Sequence, residues 1–181
     1  MVGMAFTTNP LAAVVAAESA RLTETGAATI DLEQLRKVVD TMVPFNNHVG
    51  VRVTGLSAEH GQAELPVRGE LENHFGTVHA GALFLAAEVA GAAAFSGAMA
   101  PRILQLQGFV LRSSKIAFLK PGKGHIRARA TIDKTATDAV LARSGAERFE
   151  LSGVAVLHDD AEVLIARVDL DYVAWMGDAA A

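Results

Sequence analysis

Between His79 and Arg102 the sequence carries one formally charged residue, Glu88. Leu83, Phe84, Leu85, Ala86 and Ala87 precede it, and Val89, Ala90, Gly91, Ala92, Ala93 and Ala94 follow. A helix that is apolar all round has to be enclosed, either by a protein core or by lipid. Residues 80–101 are numerous enough to span a bilayer, but a carboxylate at the centre of such a span costs about 3 kcal/mol. The stretch therefore reads as the core helix of a soluble protein, its Ala and Gly letting a sheet approach closely. A carboxylate enclosed there must be paired, hydrogen-bonded or neutralised. Composition alone leaves two readings open. Glu88 sits on a strip that reaches solvent or an arginine, Arg102 or Arg112, or it is kept there for chemistry.

The flanking sequence supplies the walls. Asp31 followed by Gln34 resembles a capping box, and Leu32, Leu35, Val38, Val39 and Met42 form a stripe at helical spacing that Pro44 should end. Val49, Val51 and Val53 then alternate with polar or small residues, as do Ala63, Leu65 and Val67. Beyond the apolar helix, strands are expected over 109–119, 125–132, 149–157 and 163–173, with a short helix within 135–146. This order predicts an α+β fold, a largely antiparallel sheet with one long helix along one face. One domain is expected over 30–177, with a weakly ordered or helical extension at 1–29 and a tail at 178–181.

Composition narrows the function classes. Apolar residues make up 51% of the chain and charged residues 20%, so a real core is expected. The net charge of −4 argues against a nucleic-acid partner. No cysteine is present, which removes a disulfide scaffold, a thiolate metal site and a cysteine nucleophile and is compatible with a reducing cytosol. Residues 1–20 lack the Lys or Arg flank of a signal peptide. His74 and His79, five apart, fit no common zinc spacing with Glu88, so no metal is expected. His48, His60, His125 and His158 read as surface or edge residues, and Tyr172 and Trp175 as edge or interface packing.

Asn73, Gly76, Thr77, His79 and Gly81, with Glu88 nine residues after His79, resemble the signature of hotdog-fold acyl-CoA thioesterases. The phenylacetate-pathway type and related vertebrate enzymes carry N-x-x-G-T-x-H-G-G and then an acidic residue at that distance. The likeness runs over about 31–175, through Pro44-Phe45-Asn46 and Lys120-Pro121-Gly122, and the polar insert near 135–146 looks most like an uncharacterised branch. The resemblance implies an antiparallel sheet wrapped around the central helix. It implies a thioester carbonyl gripped by the Ala80 N–H at the helix start, with Gly81 and His74 beside the substrate. Glu88 would be general base or nucleophile, Asn73 would position the water or the carboxylate, and His79 would hold the loop or the carbonyl.

The same resemblance implies a site shared across a homodimer or homotetramer. Ser113, Ser114 and Lys115 are candidates on the facing strand. Lys120 and Lys123, with Arg127 and Arg129, form a basic cluster around a turn that reads either as a solvated hairpin or as a contact for the phosphates of coenzyme A. No cofactor is implied beyond the coenzyme A moiety of the substrate, and the setting is cytoplasmic. Three departures stand out: Ala80 where Gly is usual, Glu88 where Asp is usual, and Leu111 where vertebrate members carry a polar residue. Two alternatives share the fold. His74-Phe75 with Glu88 fourteen residues on resembles 3-hydroxyacyl-thioester dehydratases, without their loop prolines, and a non-catalytic acyl-thioester binding protein would tolerate Ala80.

Overall fold

The computed structural model describes residues 30–177, so the expected extension at 1–29 and tail at 178–181 lie outside the described residues. The first helix, α1 (Leu32–Thr41), starts where Asp31 accepts the N–H groups of Glu33 and Gln34 at 2.8 and 3.4 Å, satisfying donors the helix cannot satisfy itself. Pro44 does not simply end it. It opens a second helix, α2 (Pro44–Val49), standing in its first turn, where a missing N–H costs nothing. Val49 is accordingly helical, Gly50 closes the helix in a left-handed conformation, and β1 begins later than expected, at Arg52 (Arg52–Leu56).

β2 (Gly61–Leu65) leads through a loop into α3 (Ala80–Ala98), then follow β3 (Leu106–Phe118), β4 (Ile126–Ile132), α4 (Lys134–Leu141), β5 (Glu147–His158) and β6 (Leu164–Met176). The six strands form one antiparallel sheet in the order β1-β2-β4-β5-β6-β3. One face of it holds α3, whose buried residues include Leu83, Ala86, Ala87, Ala90, Ala93 and Ala94. This is the hotdog arrangement that the sequence predicts, and the long apolar helix is its core helix.

Alternation places each strand residue on one face or the other. On β6, Val168, Leu170, Tyr172 and Ala174 are buried toward the helix, whereas Arg167, Asp169 and Trp175 are exposed. The opposite face is charged, with Glu150 between Arg112 (2.5 Å) and Arg148 (3.0 Å). The helix rests so closely on the sheet because its partners are small. At Gly61 the space a Cβ would need is already filled by the backbone of Ala90 and Ala94. β1 and β3 are the two edges of the sheet.

Candidate active site

The loop before α3 is built by Asn73. Its side-chain oxygen accepts from the N–H groups of Phe75 (2.9 Å) and Thr77 (3.3 Å), and its amide donates to the Thr77 hydroxyl (2.9 Å). Its backbone N–H donates to the Thr77 carbonyl, closing a tight loop. The hydrogen bonds of Asn73 in the single chain therefore shape the loop. His79 donates its N–H to Leu71, and Val78 donates to Gly122, which pins the turn containing Lys120 and Lys123 against the helix start.

His79 is the N-cap of α3, its Nδ1 accepting from the Gly81 N–H at 2.9 Å. Its carbonyl accepts from Ala82 and Leu83. Of the first four N–H groups of the helix, that of Ala80 alone has no acceptor among the described residues. It stands at the positive end of the helix dipole, and Ala80 and Gly81 are exposed. Ala80 also has no positive φ, since Glu162 is the only such non-glycine residue described. The substitution for Gly at that position therefore carries no backbone strain.

Glu88 lies on the half-exposed stripe of α3 that runs through Gly81, Phe84, Leu85, Glu88 and Ala92. Among the described residues it has neither a hydrogen bond nor an ion pair. Arg102 binds Gln105 and the carbonyls of Val140 and Arg143, and Arg112 binds Glu150 on the far face. Neither arginine expected as a structural partner reaches it. Burial therefore pushes the Glu88 carboxyl above the usual carboxylate range, with nothing to offset it. Asp40 shows the contrast. Burial would raise it too, but the Arg52 guanidinium and the Val53 N–H outweigh that and hold it low. One carboxylate is paired, and the other has no partner among the described residues.

Tyr172 is a correction. It is not edge packing, being only 1% exposed in the core against Phe95 and Phe109. Its hydroxyl has no hydrogen-bond partner among the described residues and lies at Gly91, one helical turn beyond Glu88. Of the three candidates on β3, Ser113, Ser114 and Lys115, the structure turns only one toward the helix. A bulge between Leu111 and Ser113 shifts the alternation, so Ser113 pairs with Asp171 and donates to it at 2.9 Å on the face away from the helix. Ser114, opposite buried Leu170, is the serine on the helix side, and Lys115, opposite exposed Asp169, faces outward. Lys120 and Lys123 are exposed and unpaired among the described residues, and Lys123 lines a small cleft with Arg68, Gly76 and Val78. His74 stands exposed at the loop tip with its ring against Phe75, 3.8 Å away. Among the described residues no group of three His, Asp or Glu side chains is placed to hold a metal ion.

Residues 32–173 match the family described as a domain of unknown function, DUF4442. The chain belongs to this family. No curated protein matches it. Among solved structures, this DUF4442 chain is similar to a Pseudomonas aeruginosa protein of unknown function named a probable thioesterase. The identity is 22%, the match covers 82% of this chain and 97% of that one, and the TM-score is 0.61. A Shewanella oneidensis protein related to the thioesterase superfamily matches at 21% identity, 78% and 93% coverage and TM-score 0.64. A Haemophilus influenzae thioesterase matches at 20% identity, 82% and 92% coverage and TM-score 0.58. At these identities the likeness shows the fold.

Because the carboxyl of Glu88 in this DUF4442 protein titrates above its ordinary value of 4.5, the folded chain holds that proton more tightly than the unfolded one. The resulting stabilisation is fully present below the unfolded value and is lost as pH rises through the folded one. Urea unfolding of the wild-type chain and of Glu88→Gln should then give a difference that grows in favour of the variant as pH rises across that window. A difference that stays flat with pH would show that Glu88 is not desolvated.

Proposed function

We propose that this DUF4442 protein is an acyl-CoA thioesterase, a cytoplasmic hydrolase whose working carboxylate is Glu88. The observation that carries the proposal is a half-buried carboxylate on the same helix as the N–H at its start, both without a partner among the described residues. Eight residues of helix separate Ala80 from Glu88, about 12 Å along the axis. Helical side chains slope toward the N-terminus, so the carboxylate leans toward Ala80. The remaining gap suits an attacking water and a thioester carbonyl whose oxygen sits about 2.9 Å from the N–H.

Glu88 takes a proton from water as the water attacks the carbonyl carbon. The Ala80 N–H and the helix dipole stabilise the oxyanion, and collapse of the tetrahedral intermediate expels the thiolate of coenzyme A, which is then protonated. A direct attack by Glu88, giving an anhydride that water then opens, uses the same groups. Asn73 keeps the loop in the shape that presents the Ala80 N–H, and His79 fixes the helix start, with Gly81 and His74 flanking the entrance. Lys120 and Lys123 supply positive charge for the coenzyme A phosphates, the role for which Lys serves as a mobile point charge. The substrate brings its own coenzyme A, and no further cofactor takes part.

The stripe bearing Glu88 and the inner side of β3 are both partly open in the single chain, and the long β3 edge has unpaired backbone groups. A second copy pairing along β3 covers both, so the site is one of a homodimer or homotetramer, with Ser114 facing the helix side. Sedimentation velocity should find a dimer or tetramer, and a monomer with full thiol release would sink the shared site. A thiol-release screen over short, long and aromatic acyl-CoAs tests the activity. Free thiol supports hydrolysis, whereas a 3-hydroxyacyl-CoA that loses water to give a 2-enoyl product without thiol would convert the reading to a dehydratase.

A further inference from the structure

Glu88 and Tyr172 are complementary orphans. The Tyr172 hydroxyl, in a side chain 1% exposed, has no hydrogen-bond partner among the described residues. Leaving such a group unpaired costs about 1–3 kcal/mol. Its ring is held against Phe95 at 5.3 Å and Phe109 at 5.9 Å between centroids, so the hydroxyl cannot swing out of the core. The hydroxyl fills the place where a side chain at Gly91 would begin, against Leu170. Helical Cβ atoms tilt toward the N-terminus, so that notch opens toward the preceding turn, where Glu88 stands three residues earlier. Glu88 in turn is an acceptor without a donor.

Among the described residues, no other titratable group from the sheet faces this part of the helix. β1, β2, β4 and β5 present Val53, Ala63, Ala128 and Leu151 with their apolar neighbours, and β3 presents Leu111 and Ser114 opposite Tyr172 and Leu170. On α1, Asp40 is tied to Arg52 and Val53, and Arg36 to Glu33 and the Val53 carbonyl. His79 caps the helix a long way ahead. Burial, and then the charge of Glu88, push the Tyr172 phenol well above its ordinary value, so it keeps its proton as a donor.

We propose that Tyr172 is a positioning residue of the site, its hydroxyl donating to the Glu88 carboxylate, directly after a side-chain rotation or through one water, and so holding that carboxylate ionised and aimed at the helix start. The inference rests on Glu88 being the working carboxylate. A purely structural Tyr172 would be improved or unaffected by removal of its orphan hydroxyl, and Glu88 would not notice.

The test is a carbon-13 NMR titration of the glutamate carboxyls in the full chain, with Glu88 assigned by its disappearance in Glu88→Gln. Tyr172→Phe should move the Glu88 midpoint to higher pH by about one unit, a tenfold gain in proton affinity, and an unmoved midpoint overturns the proposal. In the wild-type chain the Tyr172 ring carbon bearing the hydroxyl should show an inflection at the Glu88 midpoint that Glu88→Gln abolishes. That measurement needs no tyrosine variant to fold, and a flat trace also overturns the proposal. With an acyl-CoA that releases thiol, Tyr172→Phe should lower kcat about tenfold, leave KM alone and carry the acid limb of the rate profile upward. Loss of thiol release in Glu88→Gln with an unmoved midpoint in Tyr172→Phe refutes the pairing and leaves the hydrolase intact. Full thiol release in Glu88→Gln with a shifted midpoint refutes the hydrolase and leaves the pairing.

Discussion

Glu88→Gln is expected to fold with unchanged secondary structure and to lose thiol release by at least about a hundredfold, the scale of a missing general base. Gln is nearly the shape of Glu and keeps a hydrogen-bonding end, so packing along α3 should be undisturbed. It cannot accept a proton from water or form an anhydride, so both chemical routes through this position close together. The variant should also be at least as stable as the wild-type chain at neutral pH, because it removes a desolvated charge that has no ion pair among the described residues, while the Gln amide oxygen can still accept from Tyr172. Loss of activity combined with retained or higher stability is the signature of a poised carboxylate. A structural carboxylate such as Asp40, tied to Arg52 and to the Val53 N–H, would show the reverse when neutralised. Acyl-CoA hydrolysis read by thiol release, beside thermal unfolding of both proteins, decides between them, and unchanged turnover would remove Glu88 from the mechanism.

The helix that organises this protein is legible in the sequence because its signal is coarse. A long run of Ala, Gly and Leu with one charge needs no boundary to be recognised, and strands β4, β5 and β6 announce themselves by alternation. The loop residues Asn73 and His79 are legible only through the family motif they resemble; that Asn73 shapes the loop and His79 caps the helix comes from the structure. What is hidden is whatever depends on a one-residue choice. Pro44 marks a break in any helical pattern, and only the chain beyond it decides that it opens a new helix. Which of Ser113 and Ser114 turns toward the helix is not legible, because the bulge after Leu111 adds a residue to the strand, and a period of two has no tolerance for one extra residue. Tyr172 could have been placed, since it continues the buried series of Val168, Leu170 and Ala174. Its empty hydroxyl could not, because that depends on the gap left across the layer at Gly91.

Gly61→Ala should be among the most destabilising single methyl additions this chain can receive. The new Cβ would fall inside contact distance of the Ala94 nitrogen and the Ala90 oxygen, with the Ala93 carbonyl carbon only 2.8 Å away. These are backbone atoms in the middle of α3, so no side chain can rotate to make room. Either the helix lifts off the sheet or β2 shifts against β4, to which Gly61 is paired at Ala130. Overpacking costs typically 1–3 kcal/mol, and rigid neighbours put this case at the upper end, near 3 kcal/mol. That is a large part of a total of about 5–15 kcal/mol. In a domain of this size it lowers the melting temperature by roughly 6–12 °C. Gly69→Ala is the control, since a Cβ there meets nothing within 4 Å and should change stability by less than about 0.5 kcal/mol. Urea unfolding of the two variants reads the difference, and equal midpoints would mean that the close approach of helix and sheet is not rigid. The same variant tests whether the site depends on the layer contact. α3 carries both the Ala80 N–H and Glu88, so lifting it moves them as a unit relative to Tyr172 and β3. Thiol release from the folded fraction of Gly61→Ala should then fall, while a helix that carried the whole site by itself would keep its rate.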